Sequence, residues 1–259
     1  MAFDRYGTDG SAHSDEDGLT RRAEAFARLH VGGDPFLIPN PWDAGTAKML
    51  HAIGFKALAT TSGGLAAALG KIDRNAEVTR EETLRNAEHI AEATPLPVSI
   101  DLEDCFGETP EAVAETIALA AGTGAVGGSI EDFTGRRDAP IRNIEEAVER
   151  VTAAAEAASK INFPFTLTAR CENFLYGRGD LQDTIERLNA YAEAGADVLY
   201  APALPDAESI RAVCESVDRP VNVLLGAGHR LTVSELFELG VQRVSLGSSL
   251  SRTALGAFK

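Results

Sequence analysis

The run Ser99-Ile100-Asp101-Leu102-Glu103-Asp104 puts three acids within four positions at the end of an apolar segment. Carboxylates held that close repel one another unless a cation or a partner neutralises them. An all-oxygen donor set suits a hard cation, Mg²⁺ or Mn²⁺. Zinc would call for His or Cys, and the sequence gathers no such cluster. Asp73, in Gly70-Lys71-Ile72-Asp73, and Glu131, in Ser129-Ile130-Glu131-Asp132, offer further carboxylates. Mg²⁺ keeps several waters, so some of these acids would hold water and not the ion. Asp104 and Asp132 read as loop or capping acids.

A second group of residues suits an anion. Thr60-Thr61-Ser62-Gly63-Gly64 follows an apolar segment, and small residues there let backbone N–H groups approach a carboxylate. The plainer reading of the same residues is a tight turn. Arg170 ends the run Phe165-Thr166-Leu167-Thr168-Ala169-Arg170, where a guanidinium can grip a carboxylate with two hydrogen bonds. Its structural alternative is an ion pair with Glu172. Asn222, a further polar residue in an apolar run, is a candidate substrate-binding residue. Cys105 and Cys171 read as packed thiols, and His229, in Gly226-Ala227-Gly228-His229, as a loop residue.

These residues need a scaffold that brings segment ends together. Short β-rich runs alternate with amphipathic runs along the chain. The strand candidates are 36–39, 56–60, 97–101, 126–131, 165–169, 197–200, 220–224 and 243–246, each bounded by Pro, Gly or Asp. Helical runs cover 79–93, 110–121, 144–159, 181–194, 207–216 and 233–239. Thr109-Pro110-Glu111 is a helix start, and Gly195 and Gly240 stand where helices should stop. Eight alternations allow a closed barrel or an open sheet. Ser62, Asp101, Glu103, Glu131, Arg170 and Asn222 all fall at or just past the ends of different strand candidates. A barrel converges those ends on one mouth, so the expectation is an α/β fold, a (β/α)₈ TIM-type barrel. The last strand candidate is followed by 13 residues only, Gly247–Lys259, room for a short eighth helix.

The 259 residues, 44% hydrophobic, fit one barrel domain over 19–259. Residues 1–18, polar and rich in Gly, Ser and Asp, read as a disordered or loosely attached tail. A net charge of -15 makes nucleic acid and anionic membranes poor partners. Three cysteines make no disulfide framework and suit a reducing compartment. With no long apolar run and no leader pattern after Met1, the chain reads as cytoplasmic.

Taken in order, several segments give a resemblance to the phosphoenolpyruvate mutase/isocitrate lyase superfamily, its phosphonomutase-like branch included. They are Asn40-Pro41-Trp42-Asp43-Ala44, Ser62-Gly63-Gly64, Asp101-Leu102-Glu103, Ser129-Ile130-Glu131-Asp132, Thr168-Ala169-Arg170, Ala194-Gly195-Ala196-Asp197, Pro220-Val221-Asn222-Val223 and Arg243-Val244-Ser245-Leu246-Gly247. The resemblance covers the chain from about Ala23 onward. It implies Mg²⁺ held directly by Asp101, with Asp73, Glu103 and Glu131 on its waters. It implies that Ser62, Gly63, Gly64 and Arg170 hold a substrate carboxylate. It further implies a homo-oligomer, a tetramer or a dimer, with eighth helices exchanged between subunits. The chemistry implied makes or breaks a C–C or P–C bond beside an enolate stabilised by the metal.

The chain also departs from that pattern. Isocitrate and methylisocitrate lyases carry a Lys-Lys-Cys-Gly-His-like segment after the fourth strand. Here the stretch reads Phe133-Thr134-Gly135-Arg136-Arg137-Asp138-Ala139-Pro140, with neither Cys nor His. The expectation is therefore a Mg²⁺-dependent lyase or decarboxylase for a small 2-oxo or 2-hydroxy dicarboxylic acid, with Glu103, Glu131 and Arg170 catalytic. One alternative is P–C chemistry on a phosphonate, with charge from Arg136 and Arg137. Another is a barrel that binds an oxo acid without catalysis.

Overall fold

The computed structural model describes residues 16–73, 77–136, 138–226 and 230–259. Arg137 and His229 lie outside the described residues, as does most of the expected tail. Of residues 1–18, those described are Glu16–Gly18, and they form the first turn of helix α1 (Glu16–His30).

Eight strands follow the apolar runs: β1 (Phe36–Ile38), β2 (Leu58–Ala59), β3 (Val98–Asp101), β4 (Gly127–Glu131), β5 (Thr166–Arg170), β6 (Val198–Tyr200), β7 (Val221–Leu224) and β8 (Arg243–Ser245). All pairs are parallel, in the order β1-β8-β7-β6-β5-β4-β3-β2. The seam between β1 and β2 is bridged by Ala59 N–H donating to the Pro39 carbonyl at 3.1 Å. The result is the expected (β/α)₈ barrel, nearly closed.

The connecting helices are α2 (Ala44–Ile53), α3 (Ser62–Leu69), α4 (Arg80–Glu92), α5 (Pro110–Ala121), α6 (Ile144–Ala158), α7 (Leu181–Glu193), α8 (Ala207–Ser216), α9 (Val233–Glu238) and α10 (Ser249–Phe258). Their ends follow local chemistry. Thr79 and Glu82 form a reciprocal capping box, and Thr109 caps α5 with Pro110 in its first turn. Gly195 and Gly240 take φ of 108° and 96° just past α7 and α9, a conformation a Cβ would resist. Among the described residues, no helix is long and apolar enough to cross a membrane.

Strand alternation sorts the two faces of the barrel. Ile100, Ile130, Leu167, Ala169, Leu199, Val223 and Val244 are buried in one continuous core with the helices. Their neighbours Ser99, Asp101, Ser129, Thr168, Arg170, Asn222, Arg243 and Ser245 line a cavity inside the barrel. Barrel interiors are ordinarily filled by bulky branched side chains. Small and polar residues in their place leave a space of about 120 Å³.

Helix α1 closes the N-terminal end of the barrel. Its Phe26 is fully buried, and a Cβ on Gly127 of β4 would come within 3.0 Å of that ring and 2.7 Å of the Thr166 carbonyl. His30 follows one turn later, edge-on to Phe26 and Phe36 at 4.7 and 5.1 Å between ring centres. Burying a ring such as Phe26 stabilises the fold by roughly 1.5–3 kcal/mol.

Candidate active site

The C-terminal ends of β3, β4 and β5 bring Asp101, Glu131 and Arg170 together. Arg170 Nη1 donates to Asp101 Oδ1 at 2.9 Å. Its Nη2 meets Glu131 Oε2 at 3.0 Å and Glu172 Oε1 at 2.9 Å. Its Nε donates to the same Glu172 oxygen at 3.0 Å. The Tyr200 ring, at the end of β6, lies 5.1 Å from the guanidinium carbon. One cation thus serves three carboxylates. The ion pair with Glu172 is present, and Arg170 also lines the cavity.

Helix α3 starts at the same mouth. Thr61 caps it, accepting from Gly64 N–H at 3.3 Å, and Ser62 N–H donates to Asp101 Oδ2 at 3.1 Å. The expected small-residue turn is therefore the N-terminus of a helix, whose free N–H groups and dipole favour an anion. Ser62 and Gly63 line the cavity. Gly64 does not belong with them. Its amide is committed to the cap, and a Cβ on it would meet Thr61 and Trp42 at 2.6 and 2.9 Å. Asp73 also lines the cavity, with Oδ2 3.0 Å from the point a Gly63 Cβ would occupy.

Burial and charge pull these acids apart. Burial pushes Asp101 up, but Arg170 and the Ser62 N–H outweigh it and hold the carboxyl below its ordinary value. Glu103 forms no ion pair among the described residues. Burial, then Asp101, Asp73 and Asp104, push it up to about 8, and Arg170 offsets them only in part. Glu131 is raised by burial and by Glu172, Asp101 and Glu103, despite its contact with Arg170. Burial opposes the charge on Arg170, yet Glu131, Glu172 and Asp101 raise it well above the ordinary guanidinium value.

Glu103 sits on a turn with unusual backbone. Glu103, Cys105 and Phe106 take φ of 51°, 65° and 55°, a region that costs non-glycine residues roughly 1–3 kcal/mol each. The turn is pinned from several sides. Glu131 N–H donates to the Glu103 carbonyl at 3.0 Å, and Thr116 Oγ1 to the Cys105 carbonyl at 2.8 Å. Arg150, buried on α6, donates to the Asp104 carbonyl through Nη2. Cys105 and Cys171 are packed, as expected, and burial raises both thiols above their ordinary range. Asp132 is structural too, accepting from Tyr191 Oη at 2.7 Å and Glu172 N–H at 2.8 Å.

Asn222 lies deeper than the sequence suggested. It is the second residue of β7, which runs on to Leu224, so it faces the barrel interior below the rim. Its amide donates to Ser245 Oγ at 3.0 Å and accepts from Arg243 Nε at 2.8 Å. Arg243, at the start of β8, spans the cavity floor. Its Nη1 meets His30 Nε2 at 3.1 Å and its Nη2 donates to Thr168 Oγ1 at 3.1 Å. Sequence reasoning missed Tyr200, Thr168 and Arg243. The period-2 pattern of their strands places all three on the inner face, and that was the available signal.

Above the mouth, the stretch after β4 folds back on itself through a bridge between Phe133 and Ile141. Phe133 stacks on Tyr176, from the turn after β5, with ring centres 4.3 Å apart and planes 9° from parallel. Arg136 is exposed and pairs with Asp138 at 2.9 Å. Arg142 is buried among Glu108, Glu146 and Asp104.

Among the described residues, no group of three or more His, Cys, Asp or Glu side chains is gathered closely enough to hold a metal ion by itself. Mg²⁺ does not need one, because one or two carboxylates plus water suffice. The oxygen-only donors and the crowding of Asp73, Asp101 and Glu103 fit such an ion.

A polar cavity at the C-terminal mouth of a parallel barrel, with carboxylates and a helix N-terminus at its rim, defines the class of this fold as a (β/α)₈ barrel with its candidate site at the usual end. The model of the family described as phosphoenolpyruvate phosphomutase matches residues 26–259, and the chain belongs to that family. A solved structure from Burkholderia cenocepacia J2315, provisionally a lyase/mutase, is 56% identical, with TM-score 0.90 over 93% of this chain and 86% of that one. The 2-methylisocitrate lyase of Escherichia coli K12 is 30% identical over 223 residues, 82% of this chain and 74% of the relative. A phosphonopyruvate hydrolase solved with oxalate and Mg²⁺ is 25% identical, with TM-score 0.84 over 92% of this chain and 84% of that one.

Proposed function

We propose that the protein is a Mg²⁺-dependent lyase or decarboxylase that cleaves a C–C bond in a small 2-oxo or 2-hydroxy dicarboxylic acid. The observation that carries this reading is the imbalance at the mouth, where Arg170 is shared by Asp101, Glu131 and Glu172 and, among the described residues, no ion pair reaches Glu103. Asp101 would hold Mg²⁺ directly, with Asp73, Glu103 and Glu131 on its waters. Mn²⁺ fits the same oxygens. Bound there, the ion would supply Lewis-acid charge to an oxyanion developing on the substrate.

The chain's own residues do the rest. Arg170 can exchange Asp101 for a substrate carboxylate at Nη1, while Glu131 and Glu172 keep Nη2 and Nε in place. Tyr200 beneath the guanidinium fixes its plane. Gly63 presents a first-turn N–H to the same carboxylate, and Ser62 N–H can exchange Asp101 Oδ2 for it. The Phe133–Tyr176 stack ties the two loops above the mouth together and limits water. Neither packed thiol is available as a proton donor, which separates this chain from lyases that use a loop cysteine.

For the phosphonate alternative, Arg136 is paired with Asp138 and turned to solvent, and Arg137 lies outside the described residues. Exposed Met49 and Ile53 on α2 and Leu255 and Phe258 on α10 support a homo-oligomer, which sedimentation would test. The three free thiols suit a cytoplasmic setting.

The test is pyruvate release from oxaloacetate, 2,3-dimethylmalate, methylisocitrate and phosphonopyruvate, each with Mg²⁺ and with EDTA. Metal-catalysed decarboxylation without protein is subtracted. EDTA-sensitive turnover of a diacid, lost in Glu103→Ala, is the expected result. Turnover of phosphonopyruvate alone would move the reading to P–C chemistry. Oxalate binding without turnover of any substrate would leave a binding protein.

A further inference from the structure

Arg243 is a buried cation with no anion beside it among the described residues. It is 6% exposed, and its partners are the Asn222 amide oxygen, the His30 ring and the Thr168 hydroxyl. His30 Nδ1 bonds to the Phe26 carbonyl at 2.8 Å, so Nδ1 carries the proton and Nε2 accepts from Arg243. All three partners are neutral. Among the described residues, no carboxylate lies within ion-pairing distance. A guanidinium has five N–H groups. Three are used, which leaves one on Nη1 and one on Nη2. Taking such a charge out of water costs several kcal/mol unless a counter-charge arrives, and none of the described residues provides one.

The location makes this a matter of recognition. Arg243 lines the same cavity as Ser62, Asp101 and Arg170. A chain of inward-facing neighbours joins the two guanidinium groups. In the strand registers, Arg170 pairs with Tyr200, Tyr200 with Asn222, and Asn222 with Arg243. A small acid gripped by its first carboxylate at Arg170 and the α3 N-terminus extends down this wall toward the floor. Only a second negative group on that acid gives Arg243 its missing partner.

We propose that Arg243 is the recognition residue for the second carboxylate of the substrate, so that the barrel floor selects dicarboxylic over monocarboxylic acids. The assignment rests on the reading of the mouth as a carboxylate and Mg²⁺ site. Asn222, His30 and Thr168 hold the guanidinium flat across the floor, and the diacid supplies the negative charge.

Calorimetric titration tests it without turnover, using malate and lactate as paired probes in the presence of Mg²⁺. Both are 2-hydroxy acids, and malate adds one carboxylate. Wild type should bind malate at least ~10-fold more tightly than lactate, the worth of one charge-assisted pair. Arg243→Met should remove that preference and leave lactate binding as it was. If Arg243→Met fails to fold, Asn222→Asp serves instead. It sets a carboxylate against Arg243 Nε at the present 2.8 Å contact, neutralises the floor from within, and should likewise erase the preference. Equal binding of the two acids by wild type, or an undiminished preference in the folded variants, would overturn the role of Arg243 alone. Binding of neither acid by wild type would overturn the mouth reading and this one together.

Discussion

The two arginines of the cavity keep opposite company. At the mouth, Arg170 is shared among Asp101, Glu131 and Glu172. At the floor, Arg243 meets Asn222, His30 and Thr168, and no carboxylate among the described residues. The acids push Arg170 well above the ordinary guanidinium value, whereas burial pulls Arg243 down to about 10. The mouth therefore has surplus negative charge and the floor surplus positive charge. A metal ion relieves the first and an anion relieves the second. A dicarboxylate beside Mg²⁺ answers both, which is why the contrast speaks to function and not only to packing.

The largest effect that would sharpen this contrast is expected from Arg170→Ala. It removes the carboxylate grip and leaves three acids uncompensated, so turnover should fall at least ~100-fold. Steady-state kinetics on the best diacid would show it. Near-wild-type turnover would place substrate binding elsewhere.

The floor has its own signature in pH. Burial, and then Arg243, lower His30 from 6.5 to about 3. His30 is neutral in the fold and takes up a proton on unfolding below 6.5. Stability present above pH 6.5 is therefore lost as pH falls toward 3, at up to ~1.4 kcal/mol per pH unit. His30→Gln keeps an acceptor for Arg243 and should flatten that slope in urea melts taken across the window. An unchanged slope would show that other groups carry it.

Smaller effects separate charge from shape at the mouth. Glu103→Gln removes one of the crowded acids and should stabilise the metal-free protein by about 1 kcal/mol, while turnover falls. Thermal melts in EDTA and in Mg²⁺ would show the difference narrowing with the ion. Phe133→Ala breaks the ring stack and should cost ~1 kcal/mol of loop order, read as a higher KM with kcat little changed.

Much of this was legible in the sequence. Every strand candidate became a strand, because Pro, Gly and Asp bracket short apolar runs. Asp101 and Arg170 were placed at the mouth because they end such runs. The failures share a cause. Attention to strand ends set Asn222 at the rim and passed over Arg243, which begins β8 and yet points inward. Only the register across β6, β7 and β8 shows how deep those side chains lie. Ser62–Gly64 suggested a turn, since the sequence does not reveal that Thr61 caps a helix made largely of Gly, Ala and Leu. Arg170's third carboxylate, Glu172, was legible as a neighbour, but its sharing with Asp101 and Glu131 depends on three strands meeting.

The carboxylate-rich mouth is tested most directly by calorimetric titration of Mg²⁺ into EDTA-stripped protein, wild type against Asp101→Asn. One saturable site in wild type, absent in the variant, is the predicted result. No uptake by wild type, or uptake unchanged in Asp101→Asn, would contradict a metal site at Asp101.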